Sequence, residues 1–218
     1  MENKTVVVLG NARSGTSMTA GLLSILGVNM NGVDNPSPQN PKGSFEDKDF
    51  ITVTTKMHLD LKAGKTREEI TSNWGTRFSE CASKRSGIWG FKSALTHFHL
   101  DTIMPLLNNP YFVVVTRNIL HNAQSFVVHQ RDNYGTNVSI ESALGNMADS
   151  TKVLIHSLDA VSCPRIHTTY EDIKKYPIRE IDKLAKFLSM DLTPNQRQQT
   201  IQFIMPNYST LEKNGQKK

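Results

Sequence analysis

The strongest constraint on this chain is the run Thr5-Val6-Val7-Val8-Leu9, which opens without a break into Gly10-Asn11-Ala12-Arg13-Ser14-Gly15-Thr16-Ser17 and then into a helical pattern. A strand that is continuously apolar must be covered on both faces, as strands of a parallel sheet are. The pattern that follows places Met18, Leu22 and Ile25/Leu26 on one stripe and stops at Gly27, a natural residue just past a helix end. A glycine-containing turn between strand and helix points consecutive backbone N–H groups at the helix N-terminus and so forms a cradle for an anion. Three more strand-like runs follow: Ile88-Trp89-Gly90-Phe91, Tyr111-Phe112-Val113-Val114-Val115-Thr116 and Arg165-Ile166-His167-Thr168-Thr169. Helical patterns lie after them. Ser139 caps a helix marked by Ile140, Leu144, Met147, Leu154 and Leu158; Pro177 opens one with Ile181, Leu184 and Leu188; and Thr193-Pro194 opens another with Ile201 and Ile204. Alternating strands and helices predict an α/β fold of three layers, with a central, mainly parallel sheet flanked by helices.

A length of 218 residues suits one domain spanning 1–218, with about 209–218 as a disordered tail. Two stretches interrupt the pattern. Residues 31–47, with Pro36, Pro38, Pro41 and Gly43, read as a long loop of the kind that is usually functional or mobile, and residues 63–87 as a surface helix with flexible flanks. No apolar run approaches the roughly 20 residues that span a bilayer, and Met1-Glu2-Asn3-Lys4 lacks the features of a signal peptide, so a cytoplasmic protein is expected. Cys81 and Cys163 are read as reduced thiols. The net charge of +5 is spread evenly, 12 Lys/Arg against 10 Asp/Glu in residues 1–110 and 13 against 10 in 111–218, which argues against a nucleic-acid partner.

The spacing Gly10 to Gly15 copies the phosphate loop G-x-x-x-x-G-K-[ST], but Thr16 stands where that pattern needs lysine, which speaks against a P-loop kinase. The cation sits inside the loop instead, at Arg13. Arg13-Ser14-Gly15-Thr16-Ser17 after a buried strand resembles the 5′-phosphosulfate loop of sulfotransferases, which use 3′-phosphoadenosine 5′-phosphosulfate (PAPS) as donor and release 3′-phosphoadenosine 5′-phosphate (PAP). An arginine in this loop resembles the tyrosylprotein and many bacterial members, whereas the cytosolic branch usually has lysine; with the heparan-sulfate likenesses below, the chain is closer to the bacterial, heparan-sulfate and tyrosylprotein types than to the cytosolic branch. The resemblance implies a P-loop-like fold and a 3′-phosphate site made by Arg117, at the end of the third strand, and Ser125, eight residues later. An arginine fork and a hydroxyl suit that ligand, because the fork supplies bidentate charge-assisted bonds. Tyr170-Glu171-Asp172 is similar to the family's Tyr-Glu-Asp segment, whose Tyr lies near the adenosine, while Asp172 is expected to cap the following helix. Gly90-Phe91-Lys92-Ser93-Ala94 resembles the Lys-Ser segment of heparan-sulfate members, in which the Lys faces the active site.

Sulfuryl transfer to an alcohol needs a base for the hydroxyl, an in-line arrangement and positive charge on the bridging oxygen of the leaving phosphate. The expected charge comes from Arg13, Lys92 and the N–H groups of Gly15 to Ser17. For the base, the segment Phe45-Glu46-Asp47 looks like the one that supplies a glutamate in heparan-type members, with Glu46 as the leading candidate and Asp47 as competitor; both acids would also suit the start of the helix containing Phe50, Met57 and Leu61. His58, His97, His99, His121 and His129 are further candidates, and His97-x-His99 lacks a third ligand for a metal. No C-terminal basic glycine-rich loop of the family is recognisable in Lys213-Asn214-Gly215-Gln216-Lys217-Lys218. The expectation is a PAPS-dependent sulfotransferase using a carboxylate base on a small-molecule or carbohydrate hydroxyl, with lipid and peptide tyrosine also open. A catalytically impaired nucleotide-binding module is the alternative. Oligomeric state is not readable.

Overall fold

The computed structural model describes residues 3–32 and 43–205. Pro36, Pro38 and Pro41 of the predicted loop, and the predicted tail 209–218, lie outside the described residues. In chain order the elements are β1 (Lys4–Leu9), α1 (Thr16–Leu26), α2 (Lys48–Lys62), α3 (Arg67–Ser83), β2 (Ile88–Lys92), α4 (Leu100–Ile103), β3 (Pro110–Thr116), α5 (Ile119–Tyr134), α6 (Ile140–Asp159), β4 (Arg165–Thr169), α7 (Tyr170–Lys175), α8 (Pro177–Leu188) and α9 (Pro194–Ile204). Single 3₁₀ turns flank α4.

The four strands form one sheet in the order β2-β1-β3-β4, with every pairing parallel. Register puts Val8 of β1 opposite Lys92 on one side and Val113 on the other, and Thr116 at the end of β3 opposite Thr169 of β4. Alternate residues of the central strands feed two separate cores. Val6, Val8, Val113 and Val115 face a layer built from α1, α8 and α9, through Leu22, Leu23, Leu26, Ile181, Leu184, Leu188 and Ile204. Val7, Leu9, Phe112 and Val114 face the opposite layer, where Phe50, Met57, Ile70, Phe78, Leu154 and Leu158 converge. There Phe50 stacks on Phe91 at 4.2 Å and on Trp89 at 5.5 Å, so α2 is fixed to β2 by flat aromatic contacts.

Local sequence chemistry ends these elements as expected. Gly27 takes the left-handed conformation after α1, Ser139 accepts the Ser142 N–H, Pro177 sits at the first turn of α8, and Thr193 forms a capping box with Gln196. Two expectations need correction. The segment 63–87 is not merely superficial: Thr66 and Glu69 form a capping box at the start of α3, and Ile70, Phe78 and Cys81 are fully buried against the sheet. Asp172 does not cap a helix either. The cap of α7 is Thr169, whose hydroxyl accepts the Asp172 N–H while the Asp172 carboxylate accepts the Thr169 O–H and binds Arg179. Among the described residues no helix is long and apolar enough to cross a membrane.

Candidate active site

The turn after β1 is held too closely for side chains at its glycines. A Cβ on Gly10 would overlap the Val115 carbonyl oxygen of β3, and one on Gly15 would lie 2.8 Å from Cδ2 of Tyr170. Gly15 also has φ 102°, in the left-handed region, and Arg13 adopts φ 67°. The Ser14 N–H closes the turn onto the Asn11 carbonyl at 3.1 Å, and α1 begins with no side-chain cap on its first N–H groups. Those N–H groups are consecutive donors with the positive end of a helix dipole behind them.

Side chains from three other elements hold the turn in place. Asn11 Nδ2 donates to the Met147 carbonyl (3.2 Å) and to Thr151 Oγ1 (2.8 Å) on α6, and its Oδ1 accepts the Ser150 hydroxyl proton (2.8 Å). His97, in the 3₁₀ turn after β2, completes the set with Nε2 3.0 Å from Ser150 Oγ. From α5, Asn122 Nδ2 donates to the Ala12 carbonyl (3.1 Å). Of these anchors only His97 was a sequence candidate, and as a base; here it buttresses the turn through Ser150. Asn11 lay in a loop already singled out, whereas Ser150 and Thr151 carry no local signal of a partner on β1's far end.

Arg13, Arg117 and Ser125 line one cavity of about 510 Å³, together with His121, Gln124 and Asp132. Arg13 Nε lies 3.4 Å from Ser125 Oγ, and Arg117 Nη1 donates to the Arg13 carbonyl (3.2 Å). Burial, and then the Arg117 charge, lowers the pKa of Arg13; two guanidinium groups held this close make a site that an anion would relieve. Tyr170 lies under Arg117, 4.2 Å from ring centroid to guanidinium carbon. A smaller cavity of about 120 Å³ extends beneath the loop between Ser14, Arg117 and Asn122. Ser14 Oγ, Arg117 Nε and Asn122 Oδ1 are buried there with no hydrogen-bond partner among the described residues. Buried groups of this kind are costly unless something binds them. Thr16 is buried and Ser17 half-buried at the start of α1.

Lys92 and Glu46 meet beside the loop. The Lys92 side chain is 6% exposed and its ammonium donates to Glu46 Oε1 at 2.8 Å, while the Glu46 side chain is 34% exposed. Burial pulls the Lys92 pKa down and the Glu46 carboxylate pulls it back up. Asp47, the competing acid, is committed elsewhere: Oδ1 accepts the Asp49 N–H at the start of α2, and Oδ2 accepts Arg85 Nη2 (2.7 Å) and Asn31 Nδ2 (2.9 Å). The histidines also separate. His58, His97 and His99 cluster around Phe98 away from the Arg13–Arg117 cavity, and burial pushes His97 and His99 down to about 4 and about 3. His121 lines the cavity, and His129, on the same helix, is depressed by burial and then by Arg13.

A model of the sulfotransferase domain family matches residues 3–217. A search of curated protein sequences gives no match. Among solved structures, the chain is similar to the sulfotransferase domain from the curacin biosynthetic pathway (18% identity, TM-score 0.54, covering 88% of this chain and 75% of that one). It is likewise similar to mouse sulfotransferase SULT7A1 complexed with PAP (16%, 0.54, 91% and 63%). A third likeness is to sulfotransferase STF9 from Mycobacterium avium (12%, 0.57, 92% and 67%). The chain thus spans about two thirds to three quarters of the length of these proteins, and at such identities the structural likeness is one of fold. The match over nearly its whole length carries the assignment: this chain belongs to the sulfotransferase domain family, whose chemistry is sulfuryl transfer.

Proposed function

We propose that this protein transfers the sulfuryl group of PAPS to a hydroxyl of a small-molecule or carbohydrate acceptor. The observation that carries the reading is the convergence of Arg13, Arg117 and Ser125 on one cavity beside an uncapped helix N-terminus. A donor with two anionic ends suits that arrangement: the loop N–H groups of Gly15, Thr16 and Ser17, with Ser14 and Arg13, would hold the 5′-phosphosulfate, and Arg117 with Ser125 the 3′-phosphate. Ser14 Oγ and Arg117 Nε, buried with no partner among the described residues, support this fit, since a polar ligand would satisfy both.

When bound, the donor supplies an activated sulfuryl group on a phosphate leaving group; the chain's residues supply charge, orientation and a proton acceptor. Arg13 and Lys92 place positive charge where negative charge grows on the leaving side, in positions fixed before reaction. Glu46 is the base. Its side chain is half-buried, and Lys92 on Oε1 holds it in one orientation, so that it would receive the acceptor proton while the acceptor oxygen is lined up behind the sulfur.

The test is calorimetric titration with PAP and with ATP, followed by transfer of labelled sulfate from PAPS to a panel of sugars, phenols, alcohols and tyrosine peptides. The expected result is PAP binding in preference to ATP and labelling of one acceptor class. Absence of PAP binding would overturn the reading, and PAP binding with no labelled product would favour a nucleotide-binding module.

A further inference from the structure

We infer that Tyr170 acts as a positioning residue for Arg117, and through it sets the preference for a 3′-phosphorylated nucleotide. This deepens the donor reading above and rests on it. The argument begins at the sheet. Thr116 and Thr169 are register partners on adjacent parallel strands, so the next residues, Arg117 and Tyr170, leave the sheet side by side. Past that point the two chains stay joined: the Asn118 N–H donates to the Glu171 carboxylate at 3.1 Å, and Thr169 caps the helix that Tyr170 begins. The ring of Tyr170 is thus fixed by backbone on one side and by the close approach of Gly15 on the other, where a Cβ would stand 2.8 Å from Cδ2.

The Arg117 guanidinium lies on the face of this ring at 4.2 Å. Its Nη1 is taken by the Arg13 carbonyl, and its Nε is buried with no partner among the described residues. An arginine otherwise loses side-chain freedom on binding an anion; here a stack and a hydrogen bond to the loop have already fixed it, with donors left for a ligand. The ring face turned to Arg117 is also withdrawn from stacking on a nucleobase. Tyr170, Gly15 and Arg117 therefore form one unit, and the phenol ring contributes by geometry and cation–π attraction, which needs no hydroxyl.

The experiment compares PAP with adenosine 5′-monophosphate (AMP), which lacks only the 3′-phosphate, by calorimetry on the full chain and on Tyr170→Phe, Tyr170→Leu, Arg117→Ala and the double variant Tyr170→Leu/Arg117→Ala. Tyr170→Phe should keep the wild-type ratio of PAP to AMP affinity within about twofold, and Tyr170→Leu should weaken PAP by about three- to thirty-fold while leaving AMP within about twofold. In the Arg117→Ala background, Tyr170→Leu should change PAP binding by less than about twofold. Equal weakening of PAP and AMP by Tyr170→Leu, with wild-type preference for PAP intact, would overturn the inference alone and assign the ring to the base. A wild-type protein that binds PAP and AMP alike would overturn the donor reading, and the inference with it. Thermal melts of each variant identify any that fails to fold, and rescue by Tyr170→Phe separates a ring-specific effect from general damage.

Discussion

The histidine behind the turn after β1 gives a prediction that can be worked from atoms to a denaturation curve. Asn11 Nδ2 donates to the Met147 carbonyl, an acceptor only, which fixes the amide so that Oδ1 faces Ser150. Ser150 has a single hydroxyl proton and gives it to that oxygen, so its 3.0 Å contact with His97 Nε2 requires the proton to be on His97. His97 Nδ1 is then the unprotonated nitrogen, buried and without a partner among the described residues. A second proton there would create a cation in a residue only 1% exposed. Burial, and secondarily His58, accordingly pushes its pKa from 6.5 to about 4. A histidine kept neutral by the fold contributes stability in full above its unfolded pKa and loses it as pH falls from 6.5 through about 4. For that pair of values the loss between pH 7 and pH 5 is about 2 kcal/mol. His97→Gln keeps a donor for Ser150 and removes the titration. Urea denaturation of both proteins at pH 7 and pH 5 should give a pH dependence smaller by about 2 kcal/mol in the variant, with His99 accounting for much of what remains. An identical pH dependence in the two proteins would refute the assignment of a neutral His97.

Glu46→Gln should lower kcat for sulfuryl transfer by about 10²- to 10⁴-fold while PAP affinity changes by less than about threefold; a kcat within about tenfold of wild type would assign the base elsewhere. Arg85→Ala strips the nearest cation from Asp47, whose side chain is 4% exposed, and should cost about 3 kcal/mol in urea denaturation. A loss under about 1 kcal/mol would show that Asn31 and the Asp49 N–H suffice for that carboxylate. Gly15→Ala meets a left-handed φ and the Tyr170 ring together, so it should destabilise by about 1–3 kcal/mol and weaken PAP more than AMP. A variant with wild-type melting and binding would contradict the close approach of Gly15 to Tyr170.

Features carried by neighbouring residues were legible in the sequence. The β-branched and aromatic runs became the four parallel strands, with central β1 buried throughout and edge strand β4 left exposed at Arg165 and His167. Caps at Ser139, Thr193 and Gly27 were legible for the same reason, since a cap spans three or four residues. Asp172 does not cap because the helix begins two residues before it, at Tyr170, which puts Thr169 at the cap position with its hydroxyl accepting the Asp172 N–H. Within 63–87 the polar residues dominate the pattern, and the apolar positions Ile70, Phe78 and Cys81 of α3 gain meaning only once the sheet is there to cover them.

The sequence by itself determined the strand, glycine turn and helix that open the fold, and the placement of Arg13, Lys92 and Arg117 at or beside strand ends, because backbone geometry and glycine tolerance act locally. Only the tertiary structure decided which groups meet. It gave Asp47 to Arg85 and the N-terminus of α2, and Glu46 to Lys92, although the two acids are adjacent in the chain. It joined Asn11 to Ser150 across 139 residues and laid Tyr170 beneath Arg117 through the register of β3 and β4. Such pairings depend on how separate elements stack and register, and no spacing along the chain encodes them.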